Sequence, residues 1–69
     1  MTILLNGKPH TSDPGAETVS VREFLDRLEI GEQPVLVEVN GEAILVREFD
    51  DRFIRDGDTV EVIRMVAGG

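Results

Sequence analysis

The residues best suited to chemistry stand in Val66-Ala67-Gly68-Gly69. Glycine has no Cβ, so a Gly-Gly end is a thin strip of backbone that can enter a channel too narrow for a side chain. The group it presents is the α-carboxylate of Gly69, an ionised and unreactive acid at neutral pH with a reference pKa of about 3.3–3.7. Activated by ATP, that carboxylate becomes an acyl adenylate, a strong electrophile. Two terminal glycines arise by chance in roughly 0.5% of chains at average glycine usage, so the tail takes its meaning from what precedes it.

The other reactive residue types offer little. His10 is the only histidine and has no nucleophile or second ligand near it in sequence, so it reads as a surface or strand-end residue rather than a general base. Asp50, Asp51, Asp56 and Asp58 are dense but lack the spacing of a calcium loop, and Asp56-Gly57-Asp58 reads as turn chemistry. Cysteine is absent, which removes disulfides, thiolate metal sites and thiol nucleophiles. No glycine-rich phosphate loop is present, so any ATP must be bound by a partner. No metal, cofactor or self-contained catalytic site is expected, and the chain does not read as an enzyme.

The formal net charge of −7 argues against nucleic acid and favours a basic protein surface as partner. The N-terminal residues lack the basic start and apolar run of a signal peptide. No apolar stretch approaches the ~20 residues of a membrane span. A cytoplasmic protein is the expectation. Its 69 residues are expected to form one small domain over 1–69, with 66–69 as a flexible tail.

Short elements with clear punctuation must position that tail. Thr2 to Asn6 reads as a strand with Ile3 and Leu5 on one face. Asn6-Gly7 signals a hairpin, Pro9 restricts the turn, and His10 to Ser12 forms the return strand. Ser20 and Glu23 fit a capping box, and Val19 and Phe24 a hydrophobic staple. Val21, Phe24, Leu25 and Leu28 share one helical face, and Gly31 marks the helix end. Val35, Val37 and Val39 form one face of a strand. Asn40-Gly41 is a second hairpin signal, with Ala43 to Val46 as its return. Phe49 to Ile54 is a connection holding one helical turn. Asp56-Gly57-Asp58 then turns into a last strand, Thr59 to Val66. This order predicts an α+β fold of the β-grasp, ubiquitin-like type: a small mixed sheet crossed by one helix, its first and last strands parallel neighbours.

Val39-Asn40-Gly41-Glu42, then Phe49, then Asp56-Gly57-Asp58-Thr59-Val60-Glu61-Val62, then Val66-Ala67-Gly68-Gly69 resembles the ThiS family of bacterial sulfur carriers. More distantly it is similar to the MoaD subunit of molybdopterin synthase. The sequence departs from many members at Leu45-Val46, where Pro-Arg is frequent, and at Phe49, where tryptophan is common. The resemblance implies a cofactor-free carrier. An E1-like, ThiF-like enzyme would adenylate Gly69, and a sulfur donor such as a cysteine desulfurase would supply the sulfur of a terminal thiocarboxylate. A ThiG-like thiazole synthase would consume it in thiamine biosynthesis. Val66, Ala67 and Gly68 would thread the partner's channel. A MoaD-like small subunit and a ubiquitin-like protein modifier are the alternatives.

Strand phase adds an expectation about partners. If Ile3, Leu5, Val35, Val37, Val39, Val60 and Val62 face the helix, then Leu4, Leu36, Ile63 and Met65 face away from it. Drawn from three neighbouring strands, they are expected to form an exposed apolar surface for a partner, leading to the tail.

Overall fold

The computed structural model describes residues 1–12, 15, 17–30 and 34–65. In chain order its elements are β1 (Thr2–Leu5), β2 (Lys8–Thr11), β3 (Thr18–Ser20), α1 (Val21–Leu28), β4 (Val35–Val39), β5 (Glu42–Ile44), a 3₁₀ turn (Val46–Glu48), β6 (Phe53–Arg55) and β7 (Thr59–Arg64). Five strands form one mixed sheet in the order β2-β1-β7-β4-β5, and β3 pairs with β6 in a second, two-stranded sheet. β1 and β7 are parallel, and β7 is the central strand. One helix crossing a mixed sheet is the expected architecture.

Both predicted hairpins form. Asn6 and Gly7 have φ of 51° and 83°, and Asn40 and Gly41 have 52° and 84°. A two-residue turn with both centres at positive φ matches the twist of its flanking strands, which is why Asn-Gly occupies it. Each asparagine also clamps β7. Asn6 Oδ1 accepts the Val62 N–H at 2.9 Å, and Asn6 Nδ2 donates to the Val62 carbonyl at 3.3 Å. Asn40 Oδ1 accepts the Thr59 N–H at 2.9 Å, and its Nδ2 donates to Asp58 Oδ1 at 3.1 Å. The Asp56-Gly57-Asp58 turn closes the other end of the β1–β7 seam. Asp56 Oδ1 accepts the Thr2 N–H at 2.7 Å, and the Gly57 N–H donates to the Thr2 carbonyl at 2.8 Å.

The helix starts where the sequence places it. Ser20 is the N-cap, its Oγ accepting the Glu23 N–H at 3.1 Å. Only that half of the capping box is seen, for the Glu23 carboxylate accepts from Arg27, one turn on, at 3.4 Å. The next two orphan donors are met by the connection before β6, since Val21 N–H donates to the Arg52 carbonyl and Arg22 N–H to that of Phe49. The helix ends earlier than expected. Glu29 is the C-cap, at φ 54°, whereas Gly31 lies outside the described residues.

Among the described residues ten form the core: Met1, Ile3, Val19, Val21, Phe24, Val37, Ile44, Phe49, Ile54 and Val60. Leu5, Leu25, Leu28, Val35, Val39 and Val62 pack against it. Every predicted inward residue is thus at or beside the core.

Several boundaries differ from expectation. The return strand after Asn6-Gly7 begins at Lys8 and includes Pro9, which is tolerated because β2 is an edge strand. The return strand after Asn40-Gly41 spans Glu42–Ile44, and the helical turn falls at Val46–Glu48, before Phe49. β7 spans Thr59–Arg64. The β3–β6 pair was not expected at all. Val19, read as a staple residue, is there a strand residue opposite Ile54.

The Asn6 clamp can be separated from its turn. Asn6→Gly keeps the positive φ and deletes both side-chain hydrogen bonds, and should cost about 1–3 kcal/mol. Asn6→Ala adds left-handed strain and should cost roughly 1 kcal/mol more. Urea unfolding of the two variants checks both the size and the order.

Candidate functional site

The expected reactive residue, Gly69, and the tail residues Val66, Ala67 and Gly68 lie outside the described residues. What the structure describes is the surface next to them. The last described residue, Met65, still donates its N–H to the Pro34 carbonyl at 3.0 Å. The β4–β7 ladder therefore holds the backbone in place up to the residue before the tail.

Leu4, Leu36, Ile63 and Met65 are all exposed, from 38% for Leu36 to 58% for Met65. Register then shows which of them meet. Leu36 and Ile63 are direct partners across the β4–β7 ladder. Met65 follows Ile63 by two positions and so keeps its phase, toward the tail. Leu4 does not join them. It is paired with Thr59, four residues back along β7 from Ile63, a separation of about 13 Å at ~3.3 Å per residue. Leu4 shares the face but not the place.

A residue noted in the sequence only as a departure from the family pattern completes the group. β5 runs antiparallel to β4, with Val37 opposite Ile44 and Glu38 opposite Ala43. Extending that register by one pair sets Leu45 beside Leu36, and Leu45 is exposed. Leu45, Leu36 and Ile63 then form a row across three strands, about 10 Å wide at strand spacings of 4.7–4.9 Å. The signal for Leu45 lay in the two-residue Asn40-Gly41 turn, which fixes every pairing in the hairpin. Val46 and Phe53 are exposed too, but Val46 begins the 3₁₀ turn and Phe53 lies on the second sheet.

Leu45 is held by a polar chain. Its N–H donates to Glu48 Oε1 at 3.0 Å. Arg52 lies 3.7 Å from Glu48 and forks onto Glu42 at 2.7 and 3.1 Å. The Arg52 hydrogen bonds and charge hold the Glu42 carboxyl below its ordinary value of 4.5, and Glu42 holds the guanidinium above its own. This fork ties the β4–β5 turn to the connection that carries Leu45.

Other candidate chemistry is accounted for. His10 stacks edge-on against Phe24, with ring centres 5.7 Å apart. The carboxylates of Asp56 and Asp58 accept backbone N–H groups of Thr2 and Arg55. Among the described residues no group of three His, Cys, Asp or Glu side chains could hold a metal ion. No described helix is long and apolar enough to cross a membrane.

Comparison with known proteins gives this geometry a context. Residues 3–69 match the ThiS family. The sulfur carrier protein ThiS of Thermus thermophilus is 37% identical over 67 residues, which is 97% of this chain and 98% of the relative. An uncharacterized protein of Porphyra purpurea, ycf40, is 30% identical over 69 residues, covering all of this chain and 93% of the relative. The crystal structure of thiamine biosynthesis protein ThiS from Geobacter metallireducens is 41% identical and superposes with a TM-score of 0.86, each chain fully covered.

Two predictions follow from this surface and its support. Ile63→Asp should change stability by less than about 1 kcal/mol, the span of strand preference at an exposed site, whereas Ile54→Ala in the core should cost about 2–5 kcal/mol; urea titration of the pair checks the contrast. Glu42→Gln should lower the urea midpoint at pH 7. Because folding depresses the Glu42 pKa, its contribution is present above 4.5 and is lost as pH falls through the folded-state value. The gap between wild type and Glu42→Gln should therefore close on the acid side of 4.5 and stay open at neutral pH.

Proposed function

Since this chain belongs to the ThiS family, we propose that it is a sulfur carrier for thiamine biosynthesis, a co-substrate consumed and regenerated rather than a catalyst. The observation that carries the reading is the extent of the family match. It runs through Gly68-Gly69 and leaves only two residues at the other end unmatched. The names of the Thermus and Geobacter relatives support the same pathway.

The chemistry belongs to Gly69. Its carboxylate oxygen attacks the α-phosphorus of ATP and expels pyrophosphate, giving the acyl adenylate. The persulfide of a sulfur donor then attacks the carbonyl carbon and displaces AMP. A thiol cleaves the resulting acyl disulfide, releasing the thiocarboxylate and itself ending in a disulfide. An E1-like, ThiF-like enzyme holds the ATP, since this chain has no phosphate loop. A donor such as a cysteine desulfurase supplies the sulfur, and a ThiG-like thiazole synthase accepts it. Lacking cysteine, the carrier can hold sulfur only at that carbonyl. The row of Leu45, Leu36 and Ile63, with Met65 beside the tail, is the surface on which the adenylating enzyme docks.

Deleting Gly69 retracts the carboxylate by about 3.3–3.6 Å and should reduce activation by at least ~10²-fold, given the cost of a 1 Å error in alignment. Folding should be untouched. The protein is incubated with a ThiF-like enzyme, ATP, a sulfur donor and a thiol reductant, and its intact mass is recorded. An ATP-dependent gain equal to the exchange of oxygen for sulfur, confined to the C-terminal peptide, is expected. Transfer of the charged chain to lysines of other proteins would favour a modifier instead, and no ATP-dependent change would overturn both.

A further inference from the structure

The row next to Leu36 and Ile63 holds two like charges. Glu38 is the direct partner of Glu61 across the β4–β7 ladder. Both lie on the same outward face as Leu36 and Ile63, being two residues from them on each strand. Glu38 is half-buried and Glu61 exposed. No described cation forms an ion pair with either carboxylate. Directly opposed residues have Cβ atoms about 4.5–5.5 Å apart, and like charges so placed are destabilising. Ala43 completes the row on β5, and its methyl group leaves room beside Glu38.

We propose that Glu38 and Glu61 together receive one arginine of the protein that docks on Leu45, Leu36 and Ile63. The inference rests on the reading of that row as the docking face of the adenylating enzyme. It adds the chemistry of the partner: apolar side chains for the row and a guanidinium for the paired carboxylates. Arginine fits better than lysine. Its planar fork presents several donors at fixed angles and can bond both carboxylates at once, and it is more weakly hydrated than an ammonium. Docking on the apolar row removes water beside the pair, which strengthens the attraction.

The same charges decide against other occupants. A second copy seated on this face with its two-fold axis at the pair would bring four carboxylates together, because an isologous contact repeats the same patch on both sides. Nucleic acid and anionic lipid are repelled by the pair and by the net charge of −7. A basic protein surface gains contact, relief of the Glu38–Glu61 repulsion and faster encounter together.

The test uses the full chain and a purified ThiF-like adenylating enzyme, with dissociation constants measured at low and at physiological salt. Glu38→Gln and Glu61→Gln should each weaken binding about tenfold, the low end for close interfacial charge pairs, and should flatten its salt dependence. The double variant should lose less than the product of the two, since both carboxylates share one cation. Glu17→Gln, the same change at an exposed site off this face, should bind as wild type. Each Gln variant should melt no lower than wild type, so that weaker binding is not unfolding. If the two Gln variants weaken binding no more than Glu17→Gln while Ile63→Asp abolishes it, the arginine receptor is wrong and the docking face stands. If Ile63→Asp also binds as wild type, the docking face fails and the inference with it.

Discussion

Thr2, Leu4 and Asn6 hold β7 and the turn before it from one side, through a seam between residues up to 56 positions apart. Only two residue pairs of that seam, Leu4–Thr59 and Leu5–Val60, count as parallel strand pairing. A parallel ladder is slightly weaker per residue than an antiparallel one, and closing so long a loop costs entropy before any contact forms. Side chains lengthen the seam at both ends. Asp56 takes the Thr2 N–H at the start, and the Asn6 amide satisfies both backbone groups of Val62 at the finish. On its other flank β7 has five register pairs with β4, from Val39–Val60 to Val35–Arg64. The rest of the fold needs this strand in place. It is the middle of the sheet, its inward residues reach the helix side, and its outward residue Ile63 belongs to the candidate site, with Met65 just past its end.

The sequence made the local parts of this arrangement readable and left its long-range parts hidden. Asn6-Gly7 and Asn40-Gly41 announce hairpins because positive φ is a property of those two residues. That each asparagine also clamps β7 depends on groups at 62 and at 58–59, which no local pattern reveals. The helix start was legible from Ser20, whose bond to Glu23 N–H spans three residues. Its end was not, because Glu29 adopts the left-handed conformation that glycine usually supplies. β3 and β6 escaped for a related reason. Three residues are too few to show a period of two, and Val19 meets Ile54 only through tertiary pairing.

The candidate site divides along the same line. Strand phase says which face a residue takes, and Leu4, Leu36, Ile63 and Met65 are exposed as phase requires. Phase does not say which row a residue occupies. Row comes from register, and the parallel register of β1 with β7 depends on where a loop of more than fifty residues returns. Leu4 was therefore grouped with residues about four positions away along β7. The hairpin register of β4 with β5 is local, so Leu45 could have been found by counting outward from Asn40-Gly41.

Among the described residues the large buried side chains lie within one core, and none that is buried is polar or charged. The outer face thus carries little of the stability and is open to other demands. One demand is reach. Met65 is fixed to Pro34, and the four residues beyond it can span at most about 13–14 Å. In the proposed activation, a carboxylate at Gly69 therefore meets the α-phosphate of ATP only inside a sphere of that radius around the end of the sheet. For that proposed step, an enzyme holding ATP there seats this carrier to within an ångström or so, since four residues cannot search for a target from a loosely held domain. Seating accuracy comes from a surface close to the pivot rather than far from it, because any tilt of the carrier is magnified by distance. Leu36, Ile63 and Met65 are close to the pivot and Leu4 is not. An apolar row supplies contact area but little orientation, since the hydrophobic effect is non-directional. Two carboxylates set one row away by the strand register supply the direction, and a shallow surface of a few side chains then defines a single pose.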